Sequence, residues 1–234
     1  AVIFDIEERK LYIGDFRADY ISFGKGTKSL VMIHGLNTRG IRGSGRMLAY
    51  MYRIFAKEYR VHIFDRREDV PKGITVREFA SDIAAGMEAL SIANADVFGV
   101  SQGGMIAQYL AIDRPELVNK LVLAVTLSKN NDTVVSVVRH WVETVERGDM
   151  SRLIADMANK MYSEKYLKRY RMLLPLLSVL QKPKDKRRFI SLAESCLTCK
   201  AYEELDKIKC PVLVIGGGKD RVVGAEAAGE IAEK

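Results

Sequence analysis

The segment Val97-Phe98-Gly99-Val100-Ser101-Gln102-Gly103-Gly104 constrains the fold of this 234-residue chain more than any other. Val97 to Val100 read as a short buried strand. Gly103 to Ile112 read as a helix, with Met105, Ile106, Tyr109 and Leu110 at helical spacing. Strand and helix are joined here by a very sharp turn. A Cβ on either flank of that turn would collide with the neighbouring strand or helix, which is the steric reason for the glycines. The turn projects the Ser101 hydroxyl at the carboxyl end of the strand. The amide-rich N-terminus of the following helix points at the same place.

The rest of the chain repeats the same unit. Continuous apolar runs at Leu30–Ile33, Val61–Phe64, Leu121–Val125 and Pro211–Ile215 predict strands, and helical patterns over 43–58, 76–90 and from about Ala225 separate them. Met47, Leu48, Met51, Ile54 and Phe55 mark one side of the first of these helices. Thr75 and Glu78 predict a capping box at the start of the second. Leu11–Phe16 and Ala18–Phe23 predict an opening hairpin. Strands alternating with helices imply an α/β architecture, a mostly parallel doubly wound sheet covered on both faces. From about Asn130 to Leu205 the strand pattern vanishes, and several helices with breaks at Pro175 and Pro183 take its place. The predicted organisation is a core of residues 1–129 and 206–234 with a helical cap inserted over 130–205.

Composition narrows the class. With 48% hydrophobic and 29% charged residues the chain is of ordinary globular type, and no apolar run reaches membrane-spanning length. The opening ten residues lack a signal-peptide core, and three cysteines with no secretion signal point to the cytoplasm. Cys196 and Cys199 form a C-x-x-C inside a helical pattern, which reads as two free thiols and not a redox or metal pair. The net charge of +7 is concentrated in residues 165–171 and 182–188. No nucleic-acid motif accompanies it, so these runs read as solvated faces, without nucleic-acid binding or membrane insertion.

The chain resembles the α/β-hydrolase superfamily, in the branch with a serine nucleophile and a helical cap between the sixth and seventh strands. The resemblance rests on His34-Gly35-Leu36 after the third strand, Gly99 to Gly104, the Leu121–Val125 strand, and Cys210 to Ile215 leading to Asp220. Gly103 to Gln108 and Arg114-Pro115-Glu116-Leu117-Val118 match the helix and loop that follow. The resemblance implies Ser101 as nucleophile, Asp220 as the acid of a triad, and the backbone N–H groups of Gln102 and Leu36 as the oxyanion hole. Asp132 is a weaker rival for the acid. Family order puts the histidine base after the acid, and no histidine follows Asp220. The resemblance therefore implies that the base lies beyond Lys234. His34 belongs to the turn, His62 reads as core, and His140 is a remote alternative.

The expected activity is that of a carboxylic ester hydrolase working through an acyl-enzyme on Ser101, with a small-molecule ester as substrate and no metal or organic cofactor. Lactonases, thioesterases, C–C hydrolases and acyltransferases share this elbow, and a non-catalytic, receptor-like relative is the alternative from another class. Trp141, Met161 and Tyr162 are candidates to line the pocket, with Met150, Met157, Tyr166, Tyr170, Met172, Leu173, Leu176 and Leu177 as further apolar cap residues. A homodimer, with the cap contributing to its interface, is left open.

Overall fold

Seven strands form one sheet in the computed structural model, which describes residues 4–169, 183 and 185–234. They are β1 (Glu7–Ile13), β2 (Phe16–Phe23), β3 (Lys28–Ile33), β4 (Tyr59–Phe64), β5 (Ala95–Val100), β6 (Val118–Ala124) and β7 (Val212–Ile215), in the order β1-β2-β4-β3-β5-β6-β7. β2 pairs antiparallel with β1 and β4, and the other neighbours are parallel. Among the described residues the α-helices are α1 (Gly45–Met51), α2 (Val76–Ala89), α3 (Gln102–Asp113), α4 (Asp132–Glu146), α5 (Met150–Met161), α6 (Glu164–Arg169), α7 (Lys186–Ser195) and α8 (Ala227–Ala232). α4 to α7 fall between β6 and β7, in the stretch where the strand pattern stops.

The central apolar runs are strands with both faces covered. Val31 and Ile33 point into the larger core with α2 and α3, while Leu30 and Met32 point into a second core with Ala49 of α1. α3 is buried nearly all round, from Gln102 to Ala111, so it carries apolar residues on every side. The Thr75–Glu78 capping box forms as expected, with Glu78 N donating to Thr75 Oγ1 at 3.1 Å and Thr75 N to Glu78 Oε2 at 2.8 Å.

Two local expectations change. The opening hairpin turns at Gly14-Asp15, with Ile13 opposite Phe16, because Gly14 takes the positive φ the turn requires. The first predicted helix stops at Met51 and continues as tight turns, since Met47, Met51 and Ile54 are 57%, 55% and 76% exposed and no face of a longer helix is covered. β7 forms as predicted and is the outermost strand of the described sheet, with Val212, Leu213 and Ile215 exposed. Among the described residues no helix is long and apolar enough to cross a membrane.

His62 lies buried in β4, as its position in an apolar run predicts, with Nδ1 2.7 Å from the Tyr20 hydroxyl. Burial, with the Arg60 charge nearby, pulls its pKa from 6.5 to about 4. The unfolded chain therefore takes up a proton below pH 6.5 that the folded chain refuses until about pH 4, so stability falls as pH drops through that window. Going from pH 7 to pH 5 is expected to cost about 2 kcal/mol through this group. Urea unfolding at both pH values checks it, and the loss should shrink in His62→Gln.

Candidate active site

The turn between β5 and α3 holds Ser101 at φ 53° and ψ −119°, a conformation that residues with a Cβ rarely adopt. Its neighbours fix it there. Ser101 N donates to Ala124 O at 2.9 Å, and Ser101 O accepts from Gly104 N at 2.9 Å and from the Thr126 hydroxyl at 2.6 Å. Close packing enforces the glycines. A Cβ on Gly103 would sit 1.9 Å from Ile33 O, and one on Gly99 would sit 2.6 Å from Gly103 O. Val125, at the end of β6, also has positive φ at 45°, an outlier for a β-branched residue.

The His34-Gly35-Leu36 turn after β3 comes against this serine. A Cβ placed on Gly35 would lie 3.3 Å from Ser101 Cβ and 3.9 Å from Ser101 Oγ. Gln102 is the first residue of α3, and the leading amides of a helix have no carbonyl partner within it. The structure thus brings together the nucleophile candidate and the two segments expected to supply oxyanion donors.

Asp220 follows β7 in a turn closed by Asp220 N donating to Gly217 O at 3.0 Å. Its Oδ1 accepts from Val222 N at 2.8 Å and Val223 N at 3.0 Å, and its Oδ2 takes no hydrogen bond among the described residues. Asn131, the N-cap of α4, holds this loop by donating from Nδ2 to Val223 O at 2.7 Å. Val125 N donates to Ile215 O at 2.7 Å, so the ends of β5, β6 and β7 lie in one row. Ser101 and Asp220 thus leave the same end of the sheet from strands two steps apart, about 10 Å. Asp132, the rival acid, is exposed on the first turn of α4.

A buried charged cluster underlies the turn after β3. Asp65 Oδ2 accepts from Ile41 N at 2.9 Å, and Oδ1 lies 3.3 Å from His34 Nε2 and 3.8 Å from Arg188. Burial by itself would raise the Asp65 carboxyl, but His34, Arg188 and the Ile41 amide outweigh it and hold it at about 2. Arg66 is buried beside it. Its Nη2 donates to His34 O at 2.5 Å and to Gln102 Oε1 at 3.2 Å. The Gln102 side chain continues from Nε2 to Leu192 O at 2.7 Å and Ser195 Oγ at 3.1 Å, both on α7. Neither Asp65, Arg66 nor the Gln102 side chain stood out in the sequence. The one available signal was the abrupt passage of an apolar run into Asp65-Arg66, two charges at a strand end.

The cap candidates separate. Trp141 is buried at the α4–α5 contact, its Nε1 donating to Asp156 Oδ2 at 2.7 Å. Met161 and Tyr162 are exposed at the end of α5, with Tyr162 stacked on Tyr166 at 4.8 Å between ring centroids. Tyr170, Met172, Leu173, Leu176 and Leu177 lie outside the described residues. So do Arg171, Lys182 and Lys184 of the basic runs. Arg188, from the second run, is not a solvated charge, because it reaches Asp65 and the carbonyls of Arg66 and Arg67. Cys196 opens a 3-10 turn and Cys199 follows it in extended conformation. Both are free and buried, and burial pushes their thiols up to about 11 and about 12. A cleft of about 310 Å³ opens beside the turn after β3, lined in part by Asn37, Asp65, Arg66, Arg188 and Phe189.

A parallel sheet with a strained serine at the head of a central helix is the architecture of the α/β hydrolases. The sequence profile of the family described as "alpha/beta hydrolase fold" matches residues 28–234, and the chain belongs to that family. Its relatives include the 3-oxoadipate enol-lactonase 2 of Acinetobacter baylyi, 24% identical over 214 residues that cover 89% of this chain and 78% of that protein. The pyrrolizixenacetamide deacetylase of Xenorhabdus hominickii is 27% identical over 152 residues, 62% of this chain and 56% of that protein. The fold is also that of the enol-lactonase from Burkholderia xenovorans, with a TM-score of 0.83 and 21% identity over 96% of this chain and 87% of that one. The class is that of the hydrolases built on this fold.

Proposed function

We propose that the protein is a serine hydrolase that cleaves a small or medium carboxylic ester through an acyl-enzyme on Ser101. The observation that carries this reading is Ser101 itself, held at φ 53° with Gly35 packed against its Cβ. That strain is the backbone signature of a presented nucleophile, and strain of this kind clusters at functional sites. In the reaction the Ser101 oxygen attacks the ester carbonyl as a general base takes its proton. The Gln102 and Leu36 amides receive the oxyanion. The intermediate collapses by breaking the ester C–O bond as the base returns the proton to the departing alcohol. Water then attacks the acyl-enzyme with the same base and releases the acid. Asp220 is the carboxylate that orients the base, whose family position follows the acid in chain order. Residues 130–205 are the lid that shapes the substrate pocket, with Met161 and Tyr162 offering apolar surface. An enol-lactone is a cyclic ester, so the likeness to an enol-lactonase supports ester chemistry. The reduced thiols fit a cytoplasmic setting.

Intact mass before and after a fluorophosphonate probe tests the reading. One adduct mapped to Ser101 supports it, and failure to label folded full-length protein overturns it in favour of a binding protein on the same fold. The acid assignment has its own test. Asp220→Asn keeps the Oδ1 acceptor for Val222 and Val223, so the loop should persist while kcat falls about 10²- to 10⁴-fold. Asp132→Asn should change kcat by less than about twofold, since surface substitutions away from a site have small effects. The reverse pattern would transfer the role to Asp132.

A further inference from the structure

The two segments that would hold the oxyanion come from different strands, and their backbone amides must stay aligned to a fraction of an ångström to be effective. One buried side chain spans them. Arg66 Nη2 donates to His34 O, in the turn that carries Leu36, and to the side chain of Gln102, whose own amide is the other donor. Arg66 and Gln102 are 2% and 1% exposed, so neither bond competes with water. Arg66 lies over the Phe79 ring at 5.8 Å and next to the Asp65 carboxylate, which keeps its charge in place. Gln102 extends the connection, because its Nε2 bonds to Leu192 O, Ser195 Oγ and Cys196 Sγ at the end of α7.

Resting on the serine hydrolase reading, we propose that Arg66 is a positioning residue of the oxyanion hole, which sets the distance between the Leu36 and Gln102 amides by bonding His34 O and Gln102 Oε1 with one guanidinium nitrogen, and that the Gln102 side chain ties this spacing to α7. The arrangement needs no contact between Arg66 and substrate. It uses the chemistry peculiar to arginine, several donors in a rigid plane, where a lysine could serve neither acceptor with the same geometry. A neutral residue of similar length leaves His34 O and Gln102 Oε1 unpaired and lets the turn and the helix start drift apart.

The test compares full-length wild type with Arg66→Met, Arg66→Lys, Gln102→Met and the double variant Arg66→Met/Gln102→Met. Active sites are titrated with a fluorophosphonate, turnover is measured on p-nitrophenyl acetate, and affinity is measured for an alkyl trifluoromethyl ketone, which forms the tetrahedral adduct. Deleting an oxyanion donor outright costs about 10²- to 10³-fold, so a displaced donor is expected to lower kcat per titrated site roughly 10- to 100-fold with KM unchanged. Ketone affinity should fall by the same factor. The double variant should be no worse than the worse single, since both break one connection. Arg66→Lys should recover little.

Unchanged kcat per titrated site and unchanged ketone affinity in folded variants would overturn the proposal, as would losses carried by KM alone. If Arg66→Met does not fold, Gln102→Met decides, because it removes the strut and leaves the backbone donor. A wild type that neither labels nor turns over substrate would instead overturn the hydrolase reading itself.

Discussion

Ser101→Ala is expected to abolish fluorophosphonate labelling and to lower kcat by about 10⁴- to 10⁶-fold, because a triad acts as a unit and what remains is binding and the oxyanion hole. Substrate affinity should change little, since a hydroxyl that reacts contributes little to ground-state binding. Active-site mass spectrometry and steady-state turnover check both parts. A second substitution at this position separates catalysis from strain. At φ 53° any residue with a Cβ carries a cost of about 1–3 kcal/mol, which glycine does not carry. Ser101→Gly should therefore be as inactive as Ser101→Ala yet more stable than wild type by roughly 1 kcal/mol, after the extra unfolded-state entropy of glycine is subtracted. Urea unfolding of the three proteins measures it. A Ser101→Gly protein less stable than Ser101→Ala would show that the elbow is not strained.

Gly103→Ala is expected to destabilise the protein by about 4 kcal/mol or more, the range reserved for changes the backbone cannot absorb. The added Cβ would lie 1.9 Å from Ile33 O and 2.6 Å from His34 O, and these are main-chain atoms that no rotamer change can move. Relief would require α3 to back away from β3, which would also pull Gln102 from the His34-Gly35-Leu36 turn. Any folded fraction should therefore have lost turnover as well. Gly217→Ala is the control. A Cβ there meets nothing within 4 Å, and its effect should stay within about 0.5 kcal/mol. Thermal melts of both variants decide the matter, and equal stabilities would mean that the elbow glycines are not sterically required.

Much of this site was legible along the chain because its parts are local. The elbow is a run of adjacent residues whose glycines and strand-to-helix junction are visible in order. The capping box of α2 needs only Thr75 and Glu78, and it formed where its spacing placed it. Local signals failed where a distant surface decides. Residues 43–58 carry a helical pattern, but nothing covers Met47, Met51 and Ile54, so the helix ends early. Trp141 could read as pocket wall or as packing, with packing favoured, and only the position of Asp156 shows that its N–H is already bonded.

By itself the sequence determined the order of strands and helices, the family, and the serine on the sharp turn, because each rests on periodicity or on residues within a few positions of one another. Only the tertiary structure decided which far-apart groups meet. Arg66 reaches His34 and Gln102, residues 32 and 36 positions away, through bonds made in the interior. Asp65 stays ionised there because His34, Arg188 and the Ile41 amide converge on it from three segments. No spacing rule encodes such convergence. It follows from strand order in the sheet, which is set by the burial of the whole core.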